Sequence, residues 1–172
     1  SDLKLQLKKI IGNYIFSYDQ ESLEQRIVFE LIKKKIKIAI SESCTGGQVS
    51  KMVTSIPGSS KVFLGSIIAY SEKVKKGILQ VKSKTIINYS EVSKQVVIEM
   101  AQSVRIKFNS DFGLATSGYM GPYDKTTNKI AWVCVASRNK VITKKINLKS
   151  TRENNILITA RIVLNELRKE IL

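Results

Sequence analysis

Hydrophobic positions along this chain alternate between helical and extended spacing. Leu23, Ile27, Val28, Leu31 and Ile32 recur every three or four residues and predict a helix from about Gln20 to Lys34. Asp19 can cap it, or Ser22 with Gln25 as a capping box, and Lys33, Lys34 and Lys35 suit the negative end of its dipole. The β-branched Ile36, Ile38 and Ile40 predict a short buried strand over Lys35 to Ser41, followed by a helix over Thr45 to Thr54 that closes at Ser55-Ile56-Pro57-Gly58. Val62 to Tyr70 reads as a second buried strand. Ser90 or Ser93 caps a helix to about Phe108, and Asp111 to Thr116 is the third strand. Ile130 to Ala136 and Val141 to Leu148 form a hairpin, and Ser150 with Glu153 opens a terminal helix whose inward face carries Ile156, Ala160, Val163, Leu164, Leu167 and Ile171. Upstream, Leu3 to Ile11 suggests a short amphipathic segment, followed by an aromatic patch at Tyr14, Phe16 and Tyr18. Strands alternating with helices predict an α/β sandwich around a mixed sheet.

Composition narrows the function. A chain of 172 residues with 43% hydrophobic content suits one domain plus an extra segment. No apolar run approaches the roughly 20 residues that span a bilayer, so a cytoplasmic protein without membrane contact is expected. The net charge of +15 invites a nucleic-acid reading, with lysine clusters at 73–84 and 140–149. Against it, the charge is mostly lysine, scattered along the chain and not interleaved with stacking aromatics. The complete absence of histidine excludes Ser-His-Asp and Cys-His catalysis and histidine-ligated metals. Cys44 and Cys134 have neither zinc-site spacing nor the pattern of a disulfide framework, and no cofactor is expected.

The chemistry is expected between Ile36 and Val49, where a strand turns into a helix through Ser41-Glu42-Ser43-Cys44-Thr45-Gly46-Gly47. Glycines lack a Cβ, so amides at this turn can approach a ligand closely and the helix dipole favours negative charge there. Ser43 can attack a carbonyl while those amides hold an oxyanion or a phosphate. Tyr70 and Lys75 follow the second strand, at the carboxyl end of the sheet where ligands of open α/β folds gather. Ser117-Gly118-Tyr119-Met120-Gly121-Pro122 is a second glycine-bearing loop at a strand end.

Taken in order, Ser-Glu-Ser-Cys-Thr-Gly-Gly (41–47), Pro-Gly-Ser-Ser (57–60), Phe-Leu-Gly (63–65), Ala-Tyr-Ser (69–71) with Lys75, Val92-Ser93 and Met100-Ala101 resemble the CinA C-terminal domain family. That family includes nicotinamide-nucleotide amidohydrolase. The resemblance covers about Ile36 to Leu167, and upstream Tyr14-Ile15-Phe16 and Glu21-Ser22-Leu23-Glu24 look like the segment preceding this domain in full-length CinA proteins. Residues 1–35 are then a linker and helix, and 36–172 the domain. The resemblance implies a three-layer α/β/α sandwich with a mixed, mostly parallel sheet of about five strands. It also implies homo-oligomers and metal-independent hydrolysis of nicotinamide mononucleotide to nicotinic acid mononucleotide and ammonia. Ser43 resembles the nucleophile, with Tyr70 and Lys75 as its acid–base partners. Thr45, Gly46, Gly47, Ser117, Gly118 and Arg152 occupy substrate-binding positions, Arg152 near the phosphate.

Serine needs a base, and lysine serves as one only when neutral, a state favoured by burial or by neighbouring cations such as Lys73 and Lys76. Four departures from the family pattern bear on this site. Tyr70-Ser71-Glu72 replaces Tyr-Ser-Asn and brings a carboxylate near Lys75. Tyr119 and Met120 replace Ile-Ala, Tyr123 to Thr127 replaces a glycine-rich continuation, and Ile130-Ala131-Trp132-Val133 replaces Val-Gly-Thr-Val. The alternative to an amidohydrolase is a nucleotide-binding or assembly module of the same fold without turnover.

Overall fold

The computed structural model describes residues 21–121 and 129–172. The expected segment at Leu3 to Ile11, the aromatic patch at Tyr14 to Tyr18, the Asp19 cap and the loop from Pro122 to Thr127 lie outside the described residues. Helix α1 spans Leu23–Lys34 and is opened by Ser22, whose hydroxyl accepts from the Gln25 amide while Gln25 Oε1 accepts from the Ser22 amide. This is the reciprocal cap expected from the sequence. Strand β1 is Ile38–Glu42, α2 Gln48–Thr54 and β2 Phe63–Ile68. Helices α3 (Glu72–Gly77), α4 (Ser83–Tyr89) and α5 (Lys94–Lys107) follow, then β3 (Phe112–Gly118), β4 (Ile130–Ala136), β5 (Val141–Asn147) and α6 (Arg152–Ile171).

The five strands lie in the order β2-β1-β3-β4-β5. β1 pairs in parallel with both β2 and β3, while β3–β4 and β4–β5 are antiparallel. Two successive reversals restore direction, so four of the five strands run the same way. The sheet is mixed, as expected, and helices cover both faces. Alternation along the strands assigns the layers: Ile38, Ile40, Leu114, Val133 and Val135 pack with α1, α2 and α6, whereas Ala39, Ala115, Cys134 and Ala136 pack with α5. The second set is small, which lets α5 approach closely. A Cβ added at Gly113 would stand 2.0 Å from the Ala101 carbonyl oxygen of α5.

Several expectations are corrected. β2 is an edge strand rather than a buried one, with Leu64 and Ile68 exposed, because an apolar run does not distinguish a central strand from an edge strand. Helix α4 was not foreseen, since Ile86 is its only buried residue and its apolar pattern is correspondingly short. The cap of α6 is Thr151, accepting from the Asn154 amide, one residue beyond the expected Ser150. Ser93, not Ser90, caps α5. Helix α1 contributes Ile27, Val28 and Leu31 to the same core as α6. No helix among the described residues is long and apolar enough to cross a membrane.

Candidate active site

The chain leaves β1 for β2 on one side and later returns to β3 on the other, with α2 and α5 on opposite faces of the sheet. The crossovers therefore part at the carboxyl end of β1, opening a crevice there. Ser43 sits in it, the first residue beyond β1, and its amide donates to the Thr116 carbonyl at 3.0 Å, prolonging the pairing with β3. Ser43 is consequently held by the sheet, but its amide is spent. The turn closes through Gly46 and Gly47, with φ of 57° and 102°, the left-handed region that favours glycine.

Glu42 changes the reading of this turn. Its side chain is fully buried and folds over the start of α2, where Oε2 accepts from Thr45 Oγ1 (2.6 Å) and the amides of Gly47 and Val49 (3.0 Å each). Oε1 accepts from the amide (2.8 Å) and hydroxyl (2.6 Å) of Ser50. The positive helix end expected to hold a ligand is thus occupied by the protein's own carboxylate. Thr45 is buried and also bonded to Thr116 Oγ1 at 2.7 Å, so its hydroxyl braces the turn. Gly46 donates its amide to the Ser43 carbonyl, and Gly47 forms the α2 cap.

Ser43, Tyr70, Lys75, Glu91, Met120 and Arg152 line one cavity of about 310 Å³. Lys75 lies on α3 with its side chain only 2% exposed, and its ammonium meets Glu91 Oε2 at 3.1 Å. The carboxylate expected near Lys75, Glu72, pairs instead with Lys76 at 2.9 Å on the outer side of α3. Among the described residues the Ser43 hydroxyl has no hydrogen-bond partner, so Ser43 and Lys75 share the cavity without a direct bond. Tyr70 stands at the rim, where its hydroxyl accepts from Arg152 Nη2 at 2.9 Å and keeps its own proton available to donate. Arg152 Nη1 reaches the Gly121 carbonyl at 2.6 Å, tying the loop after β3 to the start of α6.

Gly118 also borders the cavity, but Ser117 does not. The Ser117 hydroxyl is buried and donates to the Glu91 carbonyl at 3.0 Å, so it holds the backbone that carries Glu91. A second, open cleft of about 670 Å³ borders Gly46, Gly47 and Lys51 and meets the first at Cys44, Tyr70 and Arg152. Burial pushes the Cys44 thiol up to about 12, against smaller lowering contributions from Thr116, its own backbone and Lys75; it is a buried side chain and not a nucleophile at neutral pH. Among the described residues no group of three or more cysteine or acidic side chains is close enough to hold a metal ion.

The profile of the CinA C-terminal domain matches residues 20–171. The chain belongs to that family. It is 39% identical over 165 residues to a CinA-like protein of Cytophaga hutchinsonii, covering 94% of this chain and 39% of that protein. A CinA-like protein of Amoebophilus asiaticus is 36% identical over 170 residues, covering 97% and 41%. The chain therefore spans about 40% of the length of the curated relatives it matches. The crystal structure of a competence or damage-inducible protein from Enterobacter asburiae superposes with a TM-score of 0.83 at 25% identity, covering 87% of this chain and 96% of that one. A competence/damage inducible protein from Agrobacterium tumefaciens gives 0.80 at 27%, covering 84% and 91%. The family profile takes in α1, in keeping with that helix's place in the core.

Sequence reasoning missed three residues of this site. Glu42 had a signal, an acidic residue at the last strand position directly before the glycine turn. Glu91 had none, because its partner lies on another element. Asn155, fully buried on α6, donates to the carbonyls of Met120 and Ser150 at 3.0 Å each and so clamps the far wall.

Proposed function

We infer that the chain is a metal-independent amidohydrolase that converts nicotinamide mononucleotide to nicotinic acid mononucleotide and ammonia. The observation that carries the reading is a serine fixed at the end of β1 and a buried lysine opening into the same cavity, in a member of the CinA C-terminal domain family. In this reading Ser43 Oγ attacks the carboxamide carbon and loses its proton to the neutral amine of Lys75. The C–N bond breaks, ammonia departs with a proton returned from Lys75 or Tyr70, and water hydrolyses the ester to release the carboxylate. Because Ser43's own amide is engaged with Thr116, the oxyanion must be received elsewhere. Arg152 and the neighbouring Lys51 supply positive charge for the phosphate.

A second reading is favoured by the Lys75–Glu91 ion pair: a lysine engaged by a carboxylate is not free to take the Ser43 proton, and the domain then binds nucleotide without turnover. Ammonia release from nicotinamide mononucleotide decides between them. Release that vanishes in Ser43→Ala supports the hydrolase; calorimetric binding of nicotinic acid mononucleotide with no release supports the binding module.

A further inference from the structure

Glu91 is a charge the proposed reaction does not use. It lies on the segment between α4 and α5, its backbone fixed by Ser117, and its side chain is 40% exposed where it borders the cavity. Among the described residues the charged groups facing the cavity are Lys75 from α3, Glu91, and Arg152 from α6, and Tyr70, Tyr119 and Cys44 line it with them. Arg152 sits with Tyr70 and Gly121, whereas Lys75 and Glu91 cancel one another beside it. Without Glu91 the described lining of the cavity would hold two cations and no carboxylate, inside a chain whose net charge is already +15.

We propose that Glu91 is a specificity-determining residue that neutralises Lys75, so that the cavity accepts a neutral carboxamide and releases the carboxylate formed from it. The assignment rests on the amide-hydrolysis reading above. Hydrolysis replaces an uncharged amide with an anion at the reacting end of the ligand, while its phosphate is unchanged. The new acid sheds a proton that Lys75 takes up, and a cavity whose reacting end then carried a bare ammonium would retain its own product. With Glu91 in place, the amide nitrogen can donate to a carboxylate oxygen, whereas a product carboxylate meets like charge in a half-buried site.

The test is calorimetric affinity for nicotinamide mononucleotide and nicotinic acid mononucleotide, measured in a Ser43→Ala background with Glu91 intact, with Glu91→Gln and with Glu91→Asp. With Glu91 intact the amide binds more tightly than the acid. In Glu91→Gln the acid gains about tenfold or more relative to the amide, and Glu91→Asp, which keeps the charge, retains the original preference. Thermal melts show whether Glu91→Gln is folded; if it is not, the comparison of Glu91→Asp with Glu91→Ser decides. An amide-to-acid ratio unchanged by loss of the charge overturns the proposal. If neither mononucleotide binds, the mononucleotide reading falls by itself, and the same ratio for benzamide and benzoate, read by ligand-observed NMR, decides the role of Glu91. Failure of that pair to bind as well overturns both.

Discussion

Replacing Glu42 with alanine removes the acceptor of five donors at once, and the structure sets what that costs. Of the two hydroxyls, Thr45 keeps its bond to Thr116 at 2.7 Å, and Ser50, half-buried, can turn to water. Three amides remain, of Gly47, Val49 and Ser50, and only that of Val49 lies in a buried residue. Counting about 2 kcal/mol for the buried amide and about 0.5–1 for each that water can reach gives roughly 3–4 kcal/mol. That is a large share of the roughly 5–15 kcal/mol expected for a domain. With a urea slope of about 2 kcal/mol per molar, the midpoint of unfolding by circular dichroism at neutral pH falls by roughly 1.5–2 M. Glu42→Gln keeps one acceptor oxygen and loses about half as much. A loss below about 1 kcal/mol in Glu42→Ala would refute the view that this carboxylate, and not a ligand, satisfies the start of α2.

Three further outcomes follow from the same geometry. Because burial pushes the Cys44 thiol up to about 12, native protein treated with iodoacetamide near pH 8 stays unmodified at Cys44 and reacts after denaturation, as peptide mass spectrometry would show. Glu166 accepts from Lys169 (2.9 Å) and Lys144 (3.3 Å); burial alone would raise its carboxyl, and these two ammonium groups outweigh it and hold it below the usual 4.5. A depressed carboxylate stabilises the fold fully above that ordinary value and ceases to as the pH falls through its lowered one, so Glu166→Gln flattens the acid side of a stability–pH curve measured between neutral and about pH 3. Gly113→Ala drives a methyl group into the Ala101 carbonyl and costs about 3 kcal/mol or more in urea titration; a smaller loss would mean that α5 can shift away from the sheet.

The position of Ser43 was legible because it depends on neighbours in the chain. Ile38 and Ile40 commit β1, Gly46 and Gly47 supply the left-handed turn, and Ser43 falls between them whatever the rest of the protein does. Lys75 and Tyr70 reach the same crevice because β2 runs parallel to β1 and ends beside it. The carboxylate next to the lysine was not legible. On sequence distance Glu72 is the partner, yet on helix α3 it pairs at i+4 with Lys76 while Lys75 points inward to Glu91, sixteen residues on.

Hydrophobic period, capping residues and turn glycines, each acting over a few positions, determined by themselves the alternation of strands and helices and the strand–serine–glycine turn. Tertiary structure alone decided that β2 lies at an edge and that Glu91 faces Lys75. Those outcomes depend on which elements the sheet order brings side by side, and hydrogen bonds and ion pairs between distant segments leave no period in the chain that forms them.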